Sequence, residues 1–267
     1  MKALPGLFSA LVLAADRTVP DPVARAAGVS CKALAPVGGT PMVIRVLDAL
    51  AAARLVGACV LCGPGREIVA AEPLLQARLA AGGLRWLPPL GTPSTSAHAA
   101  LQTVPAATPV LLTTGDHALL SPAIVDHFCR AALDTGCDLV AGFARHADIM
   151  AAYPGMRRTA TRFQDGPLCG CNLYAFLTPR SRLAADHWRQ VEKDRKSPWK
   201  MLQRLGPEVV LRYLLGRLTL AEGLHRISRR MGFRVGAVIL PFAEAAVDVD
   251  TVSDWRFAQE LAAQNKE

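Results

Sequence analysis

The chain is poor in aromatic residues, at 6% of its length, and holds only six histidines, none at ligand spacing. No apolar run reaches the roughly 18–20 residues that a membrane-spanning helix needs. The seven cysteines are an odd number without framework spacing, which fits reduced thiols in a cytoplasm better than a disulfide scaffold. Cys59-x-x-Cys62 is half a zinc site by spacing, but it falls on an expected strand, where positions three apart face opposite sides. The apolar run near the N-terminus reads as a first strand and not as a secretory signal. Internal repeats, low-complexity tracts and long linkers are absent from the sequence.

What is present is Ala, Leu and Val in alternating patterns, with 51% hydrophobic residues over 267 positions. Apolar runs at 8–15, 57–62, 84–88, 109–115 and 138–144 predict strands. Segments 42–55, 66–81, 95–103 and 121–135 repeat apolar residues at helical spacing, and Ser121-Pro122 is a helix start. This alternation predicts an α/β fold with a mostly parallel sheet flanked by helices. After Ala144 the pattern changes: shorter strands over 157–177, with turns at Asp165-Gly166 and Gly170, then helices over 179–231. A strand at 235–241 and a helix from about 252 restore the first style. The expectation is a single domain, 1–267, with a core of 1–145 and 235–267 and an acceptor-side, largely helical insertion at 146–234.

Net charge is +8, and it is concentrated. Twelve Lys or Arg between Arg189 and Arg234 face four acids, while the rest of the chain nearly cancels. Helices with a solvated basic face are the plain reading; the sharper one is a peripheral contact, through 189–234, with an anionic membrane at its inner face. Nucleic acid is the weaker partner, because no reader motif accompanies the charge.

Three segments carry chemistry-bearing residues. The run Phe8–Ala15 stops at Asp16-Arg17, and Cys31-Lys32-Ala33-Leu34-Ala35-Pro36-Val37-Gly38-Gly39-Thr40-Pro41 follows. A buried strand ending in small residues, then a loop with Arg17 and Lys32, suits nucleotide phosphates at the carboxyl edge of a parallel sheet. The second segment, Val110-Leu111-Leu112-Thr113-Thr114-Gly115-Asp116-His117, puts a carboxylate at that same edge, where Mg²⁺ takes oxygen ligands; a turn or capping Asp is the alternative. In the third, Val247-Asp248-Val249-Asp250-Thr251-Val252-Ser253-Asp254, alternation points Asp248 and Asp250 alike, and Thr251 with Asp254 resembles a capping box. The alternative there is that Asp250 only caps the helix. Leu90–Leu101 opens a small-residue helix whose Ser94 and Ser96 either meet a nucleotide or simply cap.

Taken in order, the Leu-Ala-Ala loop, the Lys followed by Leu-x-x-Val-x-Gly-x-Pro, the serine-containing helix start, the Gly-Asp strand end and the final Asp-Val-Asp-Thr-x-x-Asp resemble the nucleotidyltransferases of the molybdenum-cofactor guanylyltransferase-like superfamily. The resemblance covers about 1–145 and 235–267. It implies a Rossmann-like GT-A fold that transfers NMP from an NTP to a phosphorylated small-molecule or lipid-precursor acceptor, releasing pyrophosphate, with CTP first by analogy. It implies a nucleotide bed at Leu13, Ala14, Ala15, Asp16 and Gly115, and base or ribose contacts at Gly91, Ser94 and Ser96. Lys32 and Arg17 would act on phosphates, Asp116 and Asp250 would hold Mg²⁺, and Asn172 would bind the acceptor. The family loop usually has Gly where Asp16 stands and Pro where Cys31 stands. An acid there repels a triphosphate unless a metal or Arg intervenes, and a side chain resists a glycine conformation. These departures keep a noncatalytic nucleotide-binding protein as one alternative. The other is a GT-A glycosyltransferase using a nucleotide-sugar, which would use the same acids on a diphosphate, although Lys32 fits a triphosphate better.

Overall fold

Phe8–Leu13 is a strand buried on both faces, and the sheet is built outward from it. The structure is a computed structural model that describes residues 7–16, 21–156, 158–194 and 206–264. In chain order the strands are β1 Phe8–Leu13, β2 Pro36–Val37, β3 Thr40–Pro41, β4 Val56–Cys62, β5 Leu84–Leu87, β6 Val110–Thr114, β7 Leu139–Arg145, β8 Thr161–Phe163, β9 Gly166–Phe176 and β10 Val235–Leu240. Eight of them form one sheet in the order β10-β7-β9-β6-β1-β4-β5, with β8 paired to β9; β2 and β3 form a separate small ladder. β1 lies parallel to both β4 and β6, so its carboxyl end and that of β6 meet at one edge. β9 runs antiparallel between β6 and β7. The mostly parallel sheet flanked by helices agrees with the sequence reading.

The period of two along β1 sorts the core. Phe8, Ala10, Val12 and Ala14 join one buried cluster with helices Met42–Ala52 and Pro122–Asp134, while Leu11 joins another with Pro93–Gln102. Cys59 packs against the first cluster and Cys62 belongs to the second. The two sulfurs thus face opposite sides, as alternation requires, and no group of three or more His, Cys, Asp or Glu suited to a metal occurs among the described residues. A third cluster joins Val23, Ala35, Val37, Met42, Ala118, Val249 and Ala258. It packs the C-terminal helix Val252–Gln264 onto the 31–42 loop, where Trp255 Nε1 donates to Pro36 O at 2.7 Å.

Two local expectations are corrected. The segment 66–81 is two helices, Arg66–Ala71 and Pro73–Ala80, because Glu72 precedes a proline and takes an extended backbone. Gly170 is not a turn: it lies within β9 and pairs with Phe143. The Asp165-Gly166 turn is present as the β8–β9 hairpin. Of the basic segment, helices Leu183–Asp194, Pro207–Leu214 and Leu220–Met231 are described; Ser197–Leu202 lies outside the described residues.

Candidate active site

The site begins where β1 stops. Ala14 N donates to Cys62 O, and Gly115 N donates to Leu13 O at 2.8 Å. A Cβ on Gly115 would come within 2.9 Å of Ala14 Cβ, and one on Gly63 within 3.1 Å of Ala15 Cβ. The Ala14-Ala15 backbone is therefore gripped between two glycines at the ends of β4 and β6. Gly115 was anticipated. Gly63 was not, although Gly63-Pro64-Gly65 directly after a strand is a readable signal.

Asp16 takes up no glycine conformation: among the described residues only Asn172 has positive φ without being Gly. Its carboxylate accepts the Lys32 backbone N–H, at 3.0 and 3.1 Å to its two oxygens. The acid expected to disturb the loop instead ties it to the turn that carries Lys32. Burial pushes the Asp16 pKa up, against the lowering effect of that N–H. Arg17 lies outside the described residues. Cys31 is a buried thiol whose pKa burial pushes up to about 11, so it stays protonated at neutral pH.

Lys32 reaches across the sheet edge. Its Nζ lies 2.5 Å from Asp116 Oδ2, donates to Val249 O at 3.0 Å, and is 3.7 Å from Asp250 Oδ1. Val249 N in turn donates to Asp116 O. Burial alone would lower the Lys32 pKa, but the Asp116 and Asp250 carboxylates more than offset it and the net direction is upward. Three segments far apart in sequence thus converge on one ammonium group. Asp250 is free for this contact because Thr251 and Asp254 form a reciprocal capping box at the helix start: Asp254 N donates to Thr251 Oγ1 and Thr251 N to Asp254 Oδ2.

Whether these residues fit a divalent ion turns on the second oxygen of Asp116. Oδ1 is buried and has no hydrogen-bond partner among the described residues, a costly state for a carboxylate oxygen. Asp250, with its side chain 66% exposed, adds a carboxylate on the open side. Mg²⁺ commonly takes one or two protein carboxylates and completes its shell with water and phosphate oxygens. Asp116 and Asp250 fit that donor set.

Asp248 does not present its carboxylate as Asp250 does. It is buried, ion-paired with Arg158, and accepts from Asn172 Nδ2 at 2.7 Å. Asn172 sits at φ 50, inside a register shift between β7 and β9. Such a bulge re-aims a side chain, and Asn tolerates the left-handed region better than most residues. Arg158, on an irregular stretch between elements, carries no signal in the sequence that would have marked it.

At the Pro93–Gln102 helix, Thr92 is the cap and forms a capping box with Thr95. Neither Ser94 nor Ser96 caps. Both are buried: Ser94 is held by Glu192, and Ser96 Oγ accepts Leu90 N at 2.9 Å. Gly91 is exposed, and a Cβ there would meet nothing within 4 Å.

A family model, the MobA-like NTP transferase domain, matches residues 10–209. The chain belongs to the MobA-like NTP transferase family. The match takes in much of the segment expected to be an insertion and ends before Asp248 and Asp250, so its coverage differs from that of the sequence resemblance. Among solved structures, a hypothetical transferase from Thermus thermophilus is 33% identical, with TM-score 0.75 over 93% of this chain and 99% of that one. A 4-diphosphocytidyl-2C-methyl-D-erythritol synthase from Anaerococcus prevotii is 13% identical, with TM-score 0.59 over 97% and 96%. A CMP:2-keto-3-deoxy-manno-octonic acid synthetase complexed with CTP is 15% identical, with TM-score 0.56 over 97% and 99%. The last two share the fold. No curated protein matches the chain.

Proposed function

We propose that this nucleotidyltransferase moves NMP from an NTP to a phosphorylated small-molecule or lipid-precursor acceptor. An acceptor phosphate oxygen attacks the α-phosphorus; that P–O bond forms as the α–β P–O bond breaks, and pyrophosphate leaves with the electron pair. The observation that carries the reading is the Lys32 ammonium held by Asp116 and Val249 O beside Asp250, at the joint end of β1 and β6. The gripped backbone of Leu13–Ala15 and Gly115 would form the bed of the nucleotide. Lys32, aligned by Asp16 through its backbone, would neutralise charge on the departing pyrophosphate together with Arg17. Asp116 and Asp250 would hold Mg²⁺, which when bound withdraws electron density from phosphate oxygens. Asn172, beside the Arg158–Asp248 pair, would face the acceptor.

CTP heads the order of trial because two fold relatives carry cytidylyl chemistry or CTP in their names. Of the two departures that favour a noncatalytic protein, Asp16 is read as a support of Lys32 and Cys31 as a buried, protonated thiol. The test is pyrophosphate release from each of the four NTPs with Mg²⁺ and a panel of sugar, polyol and lipid-linked phosphates. Release for one pairing, its loss with EDTA, and its loss in a folded Asp116→Ala variant are the expected results. Undiminished release by that variant, or turnover of a nucleotide-sugar instead of an NTP, overturns the reading.

A further inference from the structure

Leu211, Leu214 and Leu215 are 57%, 75% and 58% exposed, and Tyr213 beside them is 39% exposed. The spacing of i, i+3 and i+4, at the end of the helix Pro207–Leu214 and its cap, gathers the leucines on one face. A surface helix normally turns such a stripe toward the core. Here the stripe faces outward, and a cluster of large exposed apolar side chains marks a contact site more often than chance exposure does.

The charge around the stripe narrows the occupant. The acids of this region are already engaged: Glu208 pairs with Arg226, and Glu222 pairs with Arg212 at 2.7 Å. Arg217, directly beyond the leucines, is exposed, as is Arg229 on the helix Leu220–Met231, which the Arg212–Glu222 and Arg226–Glu208 pairs tie to this one. A second copy would set two strongly basic surfaces against each other. Nucleic acid would meet the arginines and leave the leucines idle. An anionic lipid surface answers both features, with leucines at the acyl boundary and guanidinium groups among the headgroups. Because no helix among the described residues is long and apolar enough to cross a membrane, the contact would be peripheral.

We propose that the face formed by Leu211, Leu214, Leu215 and Arg217 docks the protein on an anionic bilayer. The proposal rests on this surface and not on the catalytic reading above. The test is co-sedimentation of the whole chain with phosphatidylcholine vesicles, pure or containing about one-third phosphatidylglycerol, at low salt and at about 0.5 M NaCl. The protein binds the anionic vesicles, ignores the neutral ones and releases at high salt. Leu214→Glu with Leu215→Glu, and separately Arg217→Glu with Arg229→Glu, lower the partition coefficient about tenfold or more. All four positions are exposed, and circular dichroism confirms the fold. Asp116→Ala sediments like the wild type, so a failure of the catalytic reading is separable from a failure of this one. Wild type that ignores anionic vesicles, binding that is equal on neutral vesicles, or variants that keep full affinity overturn the proposal. A dimer in light scattering that the leucine variant abolishes also overturns it, by assigning the face to a second copy.

Discussion

The carboxylate of Asp16 lies within hydrogen-bond reach of the Lys32 backbone N–H through both oxygens, at 3.0 and 3.1 Å. Sixteen positions of chain are closed by this contact, and the ammonium group at its far end meets Asp116 and Val249 O. A hydrogen bond to an ionised acceptor contributes roughly 1.5–3 kcal/mol. Asp16→Ala should therefore lose about 1–3 kcal/mol in urea melts and weaken NTP binding in a calorimetric titration. Asp16→Asn, which keeps one carbonyl oxygen for the N–H, should lose less than half as much. Tighter NTP binding in the Ala variant would mean that charge repulsion, and not Lys32 placement, dominates at this position.

Gly115 admits no side chain without movement of the Ala14 backbone. The added Cβ of Gly115→Ala would sit 2.9 Å from Ala14 Cβ, and overpacking of this kind costs about 1–3 kcal/mol. The lowered melting temperature should be accompanied by weaker NTP affinity, since the displaced atoms belong to the Ala14 backbone and Cβ. Because the clash is with one methyl group, Ala14→Gly in the same chain should restore much of the stability. A double variant as unstable as the sum of the two single ones would show that Gly115 is needed for another reason.

His117 gives the protein an acid-sensitive term. The ring is fully buried, and burial pushes its pKa down to about 4 against the opposing pull of Asp116 and of the Ala245 backbone. The unfolded chain binds a proton below the ordinary value of 6.5 while the folded chain does not. Stability is therefore complete above pH 6.5 and falls as pH drops toward 4, by roughly 3 kcal/mol on a linkage estimate. Melts of EDTA-treated protein across that range should show the decline, and His117→Leu should flatten it. An unchanged slope in the variant would assign the acid sensitivity to other groups.

The strands and the carboxyl-edge meeting of Lys32 with Asp116 were legible because burial on both faces writes apolar runs, and because β1 and β6 end in small residues followed by those two side chains. Glu72 was misread because helical periodicity continues across it, while the break comes from backbone sterics at Pro73. Gly170 was misread as a turn because composition alone cannot distinguish a turn glycine from one inside an eleven-residue strand. Asp248 and Asp250 read as equals in an alternating pattern. Their difference comes from Arg158, ninety positions away from Asp248, and from Asn172, whose backbone conformation depends on the register shift beside it. Partners of that sort are fixed by tertiary packing, which local pattern does not encode.

That Arg158–Asp248 pair makes the last prediction. Their side chains are 12% and 13% exposed, and Arg158 also donates to Asp248 O at 3.3 Å. Asp248 is followed at once by Val249, whose carbonyl accepts the Lys32 ammonium, so the pair braces the segment that positions Lys32. Removing one partner of a buried pair strands the other charge and costs about 3–5 kcal/mol. Arg158→Leu should show a loss of that order in urea melts, and Asp248→Asn should show one too, while the double variant should lose much less than their sum. Turnover should follow the bracing: the double variant should fold yet lose kcat more than it raises KM, because Lys32 no longer has a fixed carbonyl partner. Additive losses of stability would show that the two residues do not act as a pair, and unchanged kcat in the double variant would confine the pair to holding the fold.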